Sequence, residues 1–562
     1  MALKIMLNLD PIFQIPKKGL YFLSLGGIGE IGANCYLYGS DNKWIMIDLG
    51  LTFADDKYPG IDLLLPKIDF LEKIKDNLEA IIISHGHEDH AGALAFFVDK
   101  INCPIYASGF ASSIIKNRLK EFGKLNLANI NIINPKKSLK FKNFEIKFIS
   151  TTHSIPEPFS ILITTKYGKL LHTADWKIDN DPQIGEDFDK KAFEDLGDDG
   201  LLALIGDSTN ADKLGYSQSE SEVREELTKL LSRYNKRIVV TCFSSNIARI
   251  ESIAKAAEKN NRKVVLIGQS MKRMIQAAID NNYLNEVSNF ISEEEASYIP
   301  RENLVIICTG SQGEKRSALY RIAYNSHPSI HLESGDVVIF SSKDIPGNEK
   351  SINNLQNLLI RQKVEVITSN EELVHVSGHC HADEIKKLYQ WTRPYISIPV
   401  HGEPKHLVAH SKLAQSVQVP ITKILNNGVC LKIAPNEPEI YGMIQTGKLI
   451  VEGKNIYSSD IDFIKDRRKF SFEGLILISL IINSDDSLHK EIKITQNGLP
   501  IENITEIEMY FKDVFLVEYL KLSHDKKSSD IIISDLVKKI LRKYIKTQLG
   551  KKPEVDVHII RL

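Results

Sequence analysis

The sequence predicts an α/β protein of several domains. Three observations carry that prediction. Apolar strand-like runs alternate with helical segments across short turns through most of the chain. One run, Ile81–Ile83, passes into a loop dense in metal-ligating side chains and then into a helix-like segment. At 562 residues the chain is too long for one core, so about two to four domains are expected.

Composition narrows the class. Hydrophobic residues make up 43% and charged residues 25%, as in an ordinary soluble globular protein. The formal net charge is -1, which excludes a global polyanion-binding field. Any nucleic-acid contact must rest on a local basic groove. Cys35, Cys103, Cys242, Cys308, Cys380 and Cys430 show no CxxC spacing and sit in apolar surroundings. They read as reduced thiols of a cytoplasmic protein. The N-terminus has no basic region followed by an apolar run, so no signal peptide is expected. No stretch is long enough to span a membrane; the most apolar one, Phe472–Ile482, reads as a strand.

Residues 1 to about 18 are a short lead-in ending at Pro16-Lys17-Lys18. Leu20–Leu25 and Asn34–Tyr38 read as strands around Gly26-Gly27-Ile28-Gly29-Glu30-Ile31-Gly32. No helix-forming run follows these glycines, so they predict a turn near the active site rather than a dinucleotide-binding loop. Trp44–Leu49 is a buried strand carrying Asp48, and a carboxylate there needs a partner. The second nitrogen of a metal-ligating imidazole is one such partner. The main motif follows: Ser84-His85-Gly86-His87-Glu88-Asp89-His90-Ala91-Gly92. His85 and His87 are two apart, so an extended loop aims both the same way. Asp89 and His90 are adjacent and are expected to diverge. That arrangement suits two metal ions, held by the nitrogen and oxygen donors that zinc or manganese takes in catalytic sites.

This HxHxDH run resembles the signature of the metallo-β-lactamase superfamily. The resemblance implies an αββα sandwich with a two-metal hydrolase site. His87, where a flavodiiron relative has Glu, argues for hydrolysis over redox chemistry. The superfamily also has an Asp at the place of Asp48, which supports its partner role.

Further strands are expected at Ile105–Ala107, Glu145–Ser150 and Lys169–Thr173, and a helix at Ser112–Phe122. Two of these strands run into His153 and Asp175. In the superfamily these places supply a ligand to one metal and a carboxylate bridging both. His172 reads equally well as a core histidine. Leu201–Ile205 is a strand leading to Asp207. Beyond it, Ser219-x-x-Glu222 is a capping box opening a helix to about Leu231. Strands at Arg237–Phe243, Lys263–Ile267, Leu304–Cys308 and Val337–Ser341 alternate with helices at Asn246–Ala257 and Met271–Ile279, predicting a second α/β domain with a parallel sheet. Two of its strands end in small polar loops, Phe243-Ser244-Ser245-Asn246 and Thr309–Gly313. Such loops before a helix offer backbone N–H groups to phosphate.

Val374-His375-Val376-Ser377-Gly378-His379 is expected to close another strand. Ala382–Trp391 is a helix, and Ile396–Val400 leads into His401-Gly402-Glu403. HxHxDH, a second α/β domain, HVSGH and PVHGE in this order resemble the β-CASP group and, within it, the ribonuclease J family, over roughly residues 20 to 440. That resemblance implies an inserted β-CASP domain. The expected boundaries are 1–210 and 368–441 for the metallo-β-lactamase domain, 211–367 for the insert, 442–470 for a linker and 471–562 for a small C-terminal α+β domain. In that last unit, strands are expected at Gly474–Ile482, Ile492–Thr495 and Val555–Ile560, with helices at Thr505–Leu520 and Ile533–Thr547. The second helix is basic through Lys538, Lys539, Arg542, Lys543 and Lys546, a solvated face in the first instance.

The family pattern also implies roles. His85, His87 and His153 would hold one divalent metal and Asp89, His90 and His401 the other, with Asp175 bridging. Zinc is the expected ion, with manganese or magnesium as alternatives. Phosphodiesters resist nucleophiles because they are anionic; two cations offset that charge and make water nucleophilic near neutral pH. Asp207 and His379 match the family's acid–base positions, Asp207 as proton donor and His379 as acceptor. The implied substrate is single-stranded RNA, cut internally and degraded 5′ to 3′ from a 5′ monophosphate. Candidate walls of a phosphate pocket are Ser244, Ser245 and Asn246 on one side and His375, Val376, Ser377, Gly378 and His379 on the other. Partners implied are a second copy, as homodimer or homotetramer, and other RNA-decay proteins. Three other readings fit less well. Small-molecule hydrolases of the superfamily lack such an insert. A metal-free RNA-binding scaffold would not keep every ligand position. DNA-directed β-CASP nucleases typically lack the His at position 401.

Overall fold

The computed structural model describes residues 13–562 except Pro346 and Lys490; the first twelve residues of the lead-in lie outside that range. The chain divides into two compact units. One runs through Phe53 and from Leu63 to Leu449; the other joins Ala54–Asp62 to Ile450–Leu562.

The first unit contains a sandwich of two sheets. In one, the strands Leu20–Gly26, Cys35–Ser40 and Lys43–Ile47 form an antiparallel meander, and Leu78–Ile82 then adds in parallel. Its other neighbour is Val429–Ala434, which pairs antiparallel with Leu20–Gly26. The second sheet orders Ile396–Val400, Ala203–Asp207, Gly168–His172, Phe159–Thr165 and Glu145–Ser150 side by side. Alternate residues of the two inner faces interlock, as the period of two requires: Phe22, Tyr38 and Ile47 from one sheet meet Phe148, Ile161 and Ile205 from the other. The outer face of the second sheet is covered by the helices Lys190–Asp199, Ala382–Thr392 and Pro404–Ser416, through Phe193, Leu388 and Ala414 among others.

Ala203–Asp207 and Ile396–Val400 are adjacent and parallel, yet nearly two hundred residues separate them. Between them lies a second sheet system of five parallel strands, in the order Lys263–Ile267, Leu304–Cys308, Ile238–Thr241, Val337–Phe340 and Glu365–Ile367. These strands are apolar on both faces because helices cover both. The helix Glu220–Ser232 starts at the expected capping box on Ser219 and Glu222.

Two expectations fail here. Residues 374–379 are not a strand. Their backbone is engaged by side chains instead of a ladder: the Val374 carbonyl accepts from Arg249 Nη1 at 2.9 Å and Ser341 Oγ at 2.7 Å, and the Gly378 carbonyl faces His153 Nδ1 at 2.5 Å. The supposed linker 442–470 is also structured. It carries the strands Lys448–Glu452 and Asn455–Ser458, and the helix Asp462–Glu473 begins within it. Arg467 reaches Glu452 at 2.7 Å and Arg468 donates to the Lys57 carbonyl at 2.7 Å. Its mixed charges are therefore tethers within the second unit, including its excursion through Ala54–Asp62.

The second unit ends in a three-stranded sheet, with Leu475–Ile482 between Lys493–Asn497 and Glu554–Arg561. Ile476, Ile478, Leu480 and Ile482 alternate onto a core shared with Phe511 and Phe515 of helix Ile504–Leu520 and Val537 and Leu541 of helix Asp530–Leu549. Among the described residues, no helix is long and apolar enough to cross a membrane.

Candidate metal centre

Seven potential ligands gather where strands end. His85 follows Leu78–Ile82, His153 follows Glu145–Ser150, Asp175 follows Gly168–His172 and His401 follows Ile396–Val400. His87 stands at the N-cap of the short helix Glu88–Ala91, which carries Asp89 and His90. Two donor groups result: His85, His87, His153 and Asp175, and Asp89, His90, Asp175 and His401. In the first, the nitrogens of His85 and His153 each lie 3.1 Å from His87 Nδ1. In the second, His90 Nε2 lies 3.2 Å from Asp175 Oδ2, and His401 Nε2 is 3.2 Å from Asp175 Oδ1. Asp175 thus faces both groups. Asp89 and His90 do not diverge as adjacency suggested: His90 Nε2 is 3.6 Å from Asp89 Oδ2.

The donor chemistry fits divalent cations. Among the described residues, Asp175 Oδ1 and both ring nitrogens of His401 are buried with no hydrogen-bond partner, a cost that cation binding offsets. Burial holds His85 and His153 well below the usual imidazole range and His87 down at about 4, which leaves their lone pairs free for a metal. Burial opposes ionisation of Asp175 too, but His90, His401 and His379 outweigh it and keep it a carboxylate. His90 is also buried, yet Asp175, Asp89 and Asp48 raise it well above its ordinary range.

Orienting groups stand behind the donors. Asp48 Oδ2 lies 2.7 Å from His90 Nδ1, and the same carboxylate accepts from Ser84 N at 2.8 Å and Ser84 Oγ at 2.9 Å. The Gly378 carbonyl does the same for His153 Nδ1. Only glycine fits there, since a Cβ would stand 2.8 Å from the His153 ring. The glycine turn near residue 27 abuts the centre: the Gly27 carbonyl accepts from His401 N at 2.6 Å. His172 is buried outside the centre, its Nδ1 2.8 Å from the Tyr38 hydroxyl.

His379 Nδ1 sits 2.8 Å from Asp207 Oδ2 and 3.9 Å from Asp175 Oδ2. Burial alone would lower this imidazole, but Asp207 and Asp175 push it up to about 9. Asp207 is correspondingly held low, its burial outweighed by His379. Each partner stabilises the charged form of the other, so the two behave as one proton-sharing pair.

The candidate phosphate walls come together in part. Asn246, Val376, Ser377 and Gly378 line one cavity of about 30 Å³, together with His153 and Lys177. Ser244 and Ser245 are outside that lining, and so are His375 and His379. His375 is instead half-buried, its Nδ1 3.4 Å from Arg249 Nη1. Burial, then Arg249, Lys343, Lys177 and Lys213, hold it well below its usual range. Sequence reasoning missed three supporting residues. Asn34 Nδ2 lies 3.0 Å from His90 Nε2, and Asn210 Nδ2 donates to Ser377 Oγ at 2.7 Å. Arg249 grips Glu220 through two bonds of 2.6 and 2.9 Å beneath the 374–379 segment. No local motif marks any of the three.

Family models match the chain in four segments: "Metallo-beta-lactamase superfamily" at 28–200, "Ribonuclease J, beta-CASP domain" at 235–359, "Zn-dependent metallo-hydrolase RNA specificity domain" at 363–422 and "Ribonuclease J C-terminal domain" at 462–562. A ribonuclease J of Sinorhizobium meliloti is 39% identical over 549 residues, covering 97% of each chain. One from Thermus thermophilus is 34% identical over 479 residues, covering 84% of each. The fold also resembles a crystal structure of a protein of unknown function from Enterococcus faecalis, at a TM-score of 0.51 and 15% identity, covering 73% of this chain and 99% of that one.

Proposed function

Since the chain belongs to the ribonuclease J family, we propose that it hydrolyses RNA at a two-metal centre, both internally and 5′ to 3′ from 5′-monophosphate ends, in RNA maturation and decay. It is a metal-dependent ribonuclease that binds divalent ions and acts on RNA. The finer reading rests above all on Asp175, one carboxylate facing two complete donor groups. In this reading His85, His87 and His153 hold one ion and Asp89, His90 and His401 the other, Asp175 bridges them, and zinc is the resident metal, with manganese or magnesium as substitutes. Bound there, the ions would neutralise the phosphate and make water nucleophilic.

The protein's own groups do the rest. Asp48 and the Gly378 carbonyl keep His90 and His153 in the tautomer that presents Nε2 inward. Asp207 and His379 share one proton beside Asp175, available to the departing 3′ oxygen. The cavity bounded by Asn246, Ser377 and Gly378 receives the terminal phosphate. Two of its acidic neighbours are already engaged, Asp179 by Lys177 at 2.9 Å and Glu220 by Arg249. Six free, buried cysteines support a reducing, cytoplasmic setting. Exposed Met509, Leu516 and Leu520 in the second unit support self-association as a dimer or tetramer. The test is purified protein with Mn²⁺ on 5′-labelled RNA and matched DNA. RNA products in both internal and stepwise patterns are expected; cleavage of DNA alone would overturn the reading.

A further inference from the structure

Three imidazoles of the donor groups have a group behind the ring. Ser84 Oγ lies 3.0 Å from His85 Nδ1, Asp48 Oδ2 2.7 Å from His90 Nδ1 and the Gly378 carbonyl 2.5 Å from His153 Nδ1. His401 has none. Neither of its ring nitrogens has a hydrogen-bond partner among the described residues, and its Nε2 faces Asp175 Oδ1 at 3.2 Å. A ligating histidine is ordinarily aimed by such a partner, so His401 must be aimed by its main chain. Its φ is +50°, a left-handed conformation that a histidine keeps only when its surroundings enforce it.

The enforcing contacts come from the glycine turn 26–32. His401 N donates to the Gly27 carbonyl at 2.6 Å, and Gly402 bridges to both Ile28 and Glu30. On the other side, Thr209 Oγ1 donates to the His401 carbonyl at 3.1 Å. The turn continues into Asn34, whose N and Nδ2 both donate to the Asp89 carbonyl at 3.0 Å and whose Nδ2 lies 3.0 Å from His90 Nε2. Residues 26–34 thus touch Asp89, His90 and His401, the whole of one donor group beside the bridging Asp175. Among the described residues, no hydrogen bond joins them to His85, His87 or His153.

A glycine-rich turn does not hold one shape by itself. This one is held by Glu30. Its Oε1 accepts from Asn427 Nδ2 at 2.8 Å, and its Oε2 lies 2.7 Å from Lys448 Nζ. Asn427 returns to the turn: its Oδ1 accepts from Ile28 N at 3.0 Å and from Ser24 Oγ at 2.9 Å. An isolated surface ion pair contributes little. Here both carboxylate oxygens are engaged, and they belong to a residue that bridges to Gly402.

We propose that Glu30 is a positioning residue for one of the two ions. By locking the turn it sets the backbone of His401 and, through Asn34, the place of Asp89 and His90, and it leaves the His85–His87–His153 group alone. Glu30 lies outside both donor groups and acts through the main chain. The proposal deepens the two-metal reading and rests on it for the ion, though not for the lock on the His401 backbone.

The test is zinc release from the intact, zinc-loaded protein into a graded chelator series, with zinc per chain read by elemental analysis. E30A should lower the affinity for one ion about 10- to 100-fold, the usual cost of a lost orienting group, and leave the other at its wild-type value. E30Q keeps an oxygen for Asn427 and should recover most of the loss. K448M should shift the same ion in the same direction, and it carries the test if E30A does not fold. H401A leaves only the ion of the other group, and E30A added to it should change nothing further. Equal loss of both ions in E30A, no loss of either, or a weaker ion in E30A/H401A than in H401A would overturn the proposal. Amide exchange of the same intact proteins separates it from the two-metal reading. In E30A, exchange around His401 should quicken while that around His153 keeps its wild-type rate; unchanged exchange around His401 would overturn the lock. Wild-type protein that never holds two ions, with the expected exchange, would remove the two-metal reading and leave the lock standing.

Discussion

His379 Nδ1 and Asp207 Oδ2 are 2.8 Å apart, although 172 positions separate them in sequence. Asp207 ends a strand of the sandwich; His379 follows the inserted domain. The pair exists only when the segment after the insert has come back to the end of that strand. His379→Ala should lower turnover about a hundred-fold or more with metal content near normal. Asp207→Asn should do likewise, and the double variant should be little worse than either, because the two act as one unit. Loss of a metal in His379→Ala would make His379 a ligand instead.

Metal content can be read directly. Protein purified without chelator should carry close to two divalent ions per chain by elemental analysis. His87→Ala should abolish activity while keeping the far-UV circular dichroism of the wild type. Asp48→Asn should weaken metal affinity by about 10- to 100-fold, the usual cost of losing an orienting partner. An active protein without divalent ions would end the two-metal reading.

The 5′ end offers a third measurement. RNA with a 5′ monophosphate should be degraded faster than the same RNA with a triphosphate. Ser377→Glu should erase that difference and spare internal cleavage of a long substrate. If both activities vanish, the segment serves the scissile phosphate.

Acid sensitivity has an identifiable contributor away from the metals. His410 is buried, with Ser208 Oγ 2.9 Å from its Nδ1 and the Tyr389 hydroxyl 2.8 Å from its Nε2. Burial holds it down at about 4. Its folded value lies below the unfolded one, so the unfolded chain binds the extra proton between about pH 6.5 and 4 and stability falls as pH drops through that window. The slope is about 1.4 kcal/mol per pH unit for one proton. Denaturant titrations of His410→Gln should be flatter by that amount there; an identical slope would mean that other groups dominate.

A fragment of residues 1–210 should not fold. It lacks Val429–Ala434 beside Leu20–Gly26 and Ile396–Val400 beside Ala203–Asp207, as well as His401. Insolubility, or failure to hold two ions, is the expected result; a folded two-metal fragment would contradict the topology.

Much of this was legible because local rules govern it. Ile105–Ala107, Lys263–Ile267 and Ile396–Val400 have the bounds their apolar runs suggest, and the capping box on Ser219 starts its helix. HxHxDH announced itself because its residues are contiguous. Segment 374–379 misled because Val374 and Val376 have strand-like side chains, while its backbone bonds go to Arg249, Ser341 and His153, all distant in sequence. The stretch 442–470 misled because charge signals solvent unless its partners, such as Lys57 for Arg468, are known. Asn34 and Asn210 carry no pattern at all; their importance lies in which segments they join.

The pairing of Leu20–Gly26 with Val429–Ala434 also constrains how the protein is made. The strand that completes this edge is synthesised roughly 400 residues later, a delay of about 20–80 s at ribosomal rates of about 5–20 residues per second. Throughout that interval the first strand shows a bare edge, which recruits other unpaired strands. Neighbouring nascent chains on one message carry the same bare edge at the same time. Their spacing on the polysome, and any chaperone that shields the emerging N-terminus, should therefore govern yield more strongly than the stability of the finished molecule.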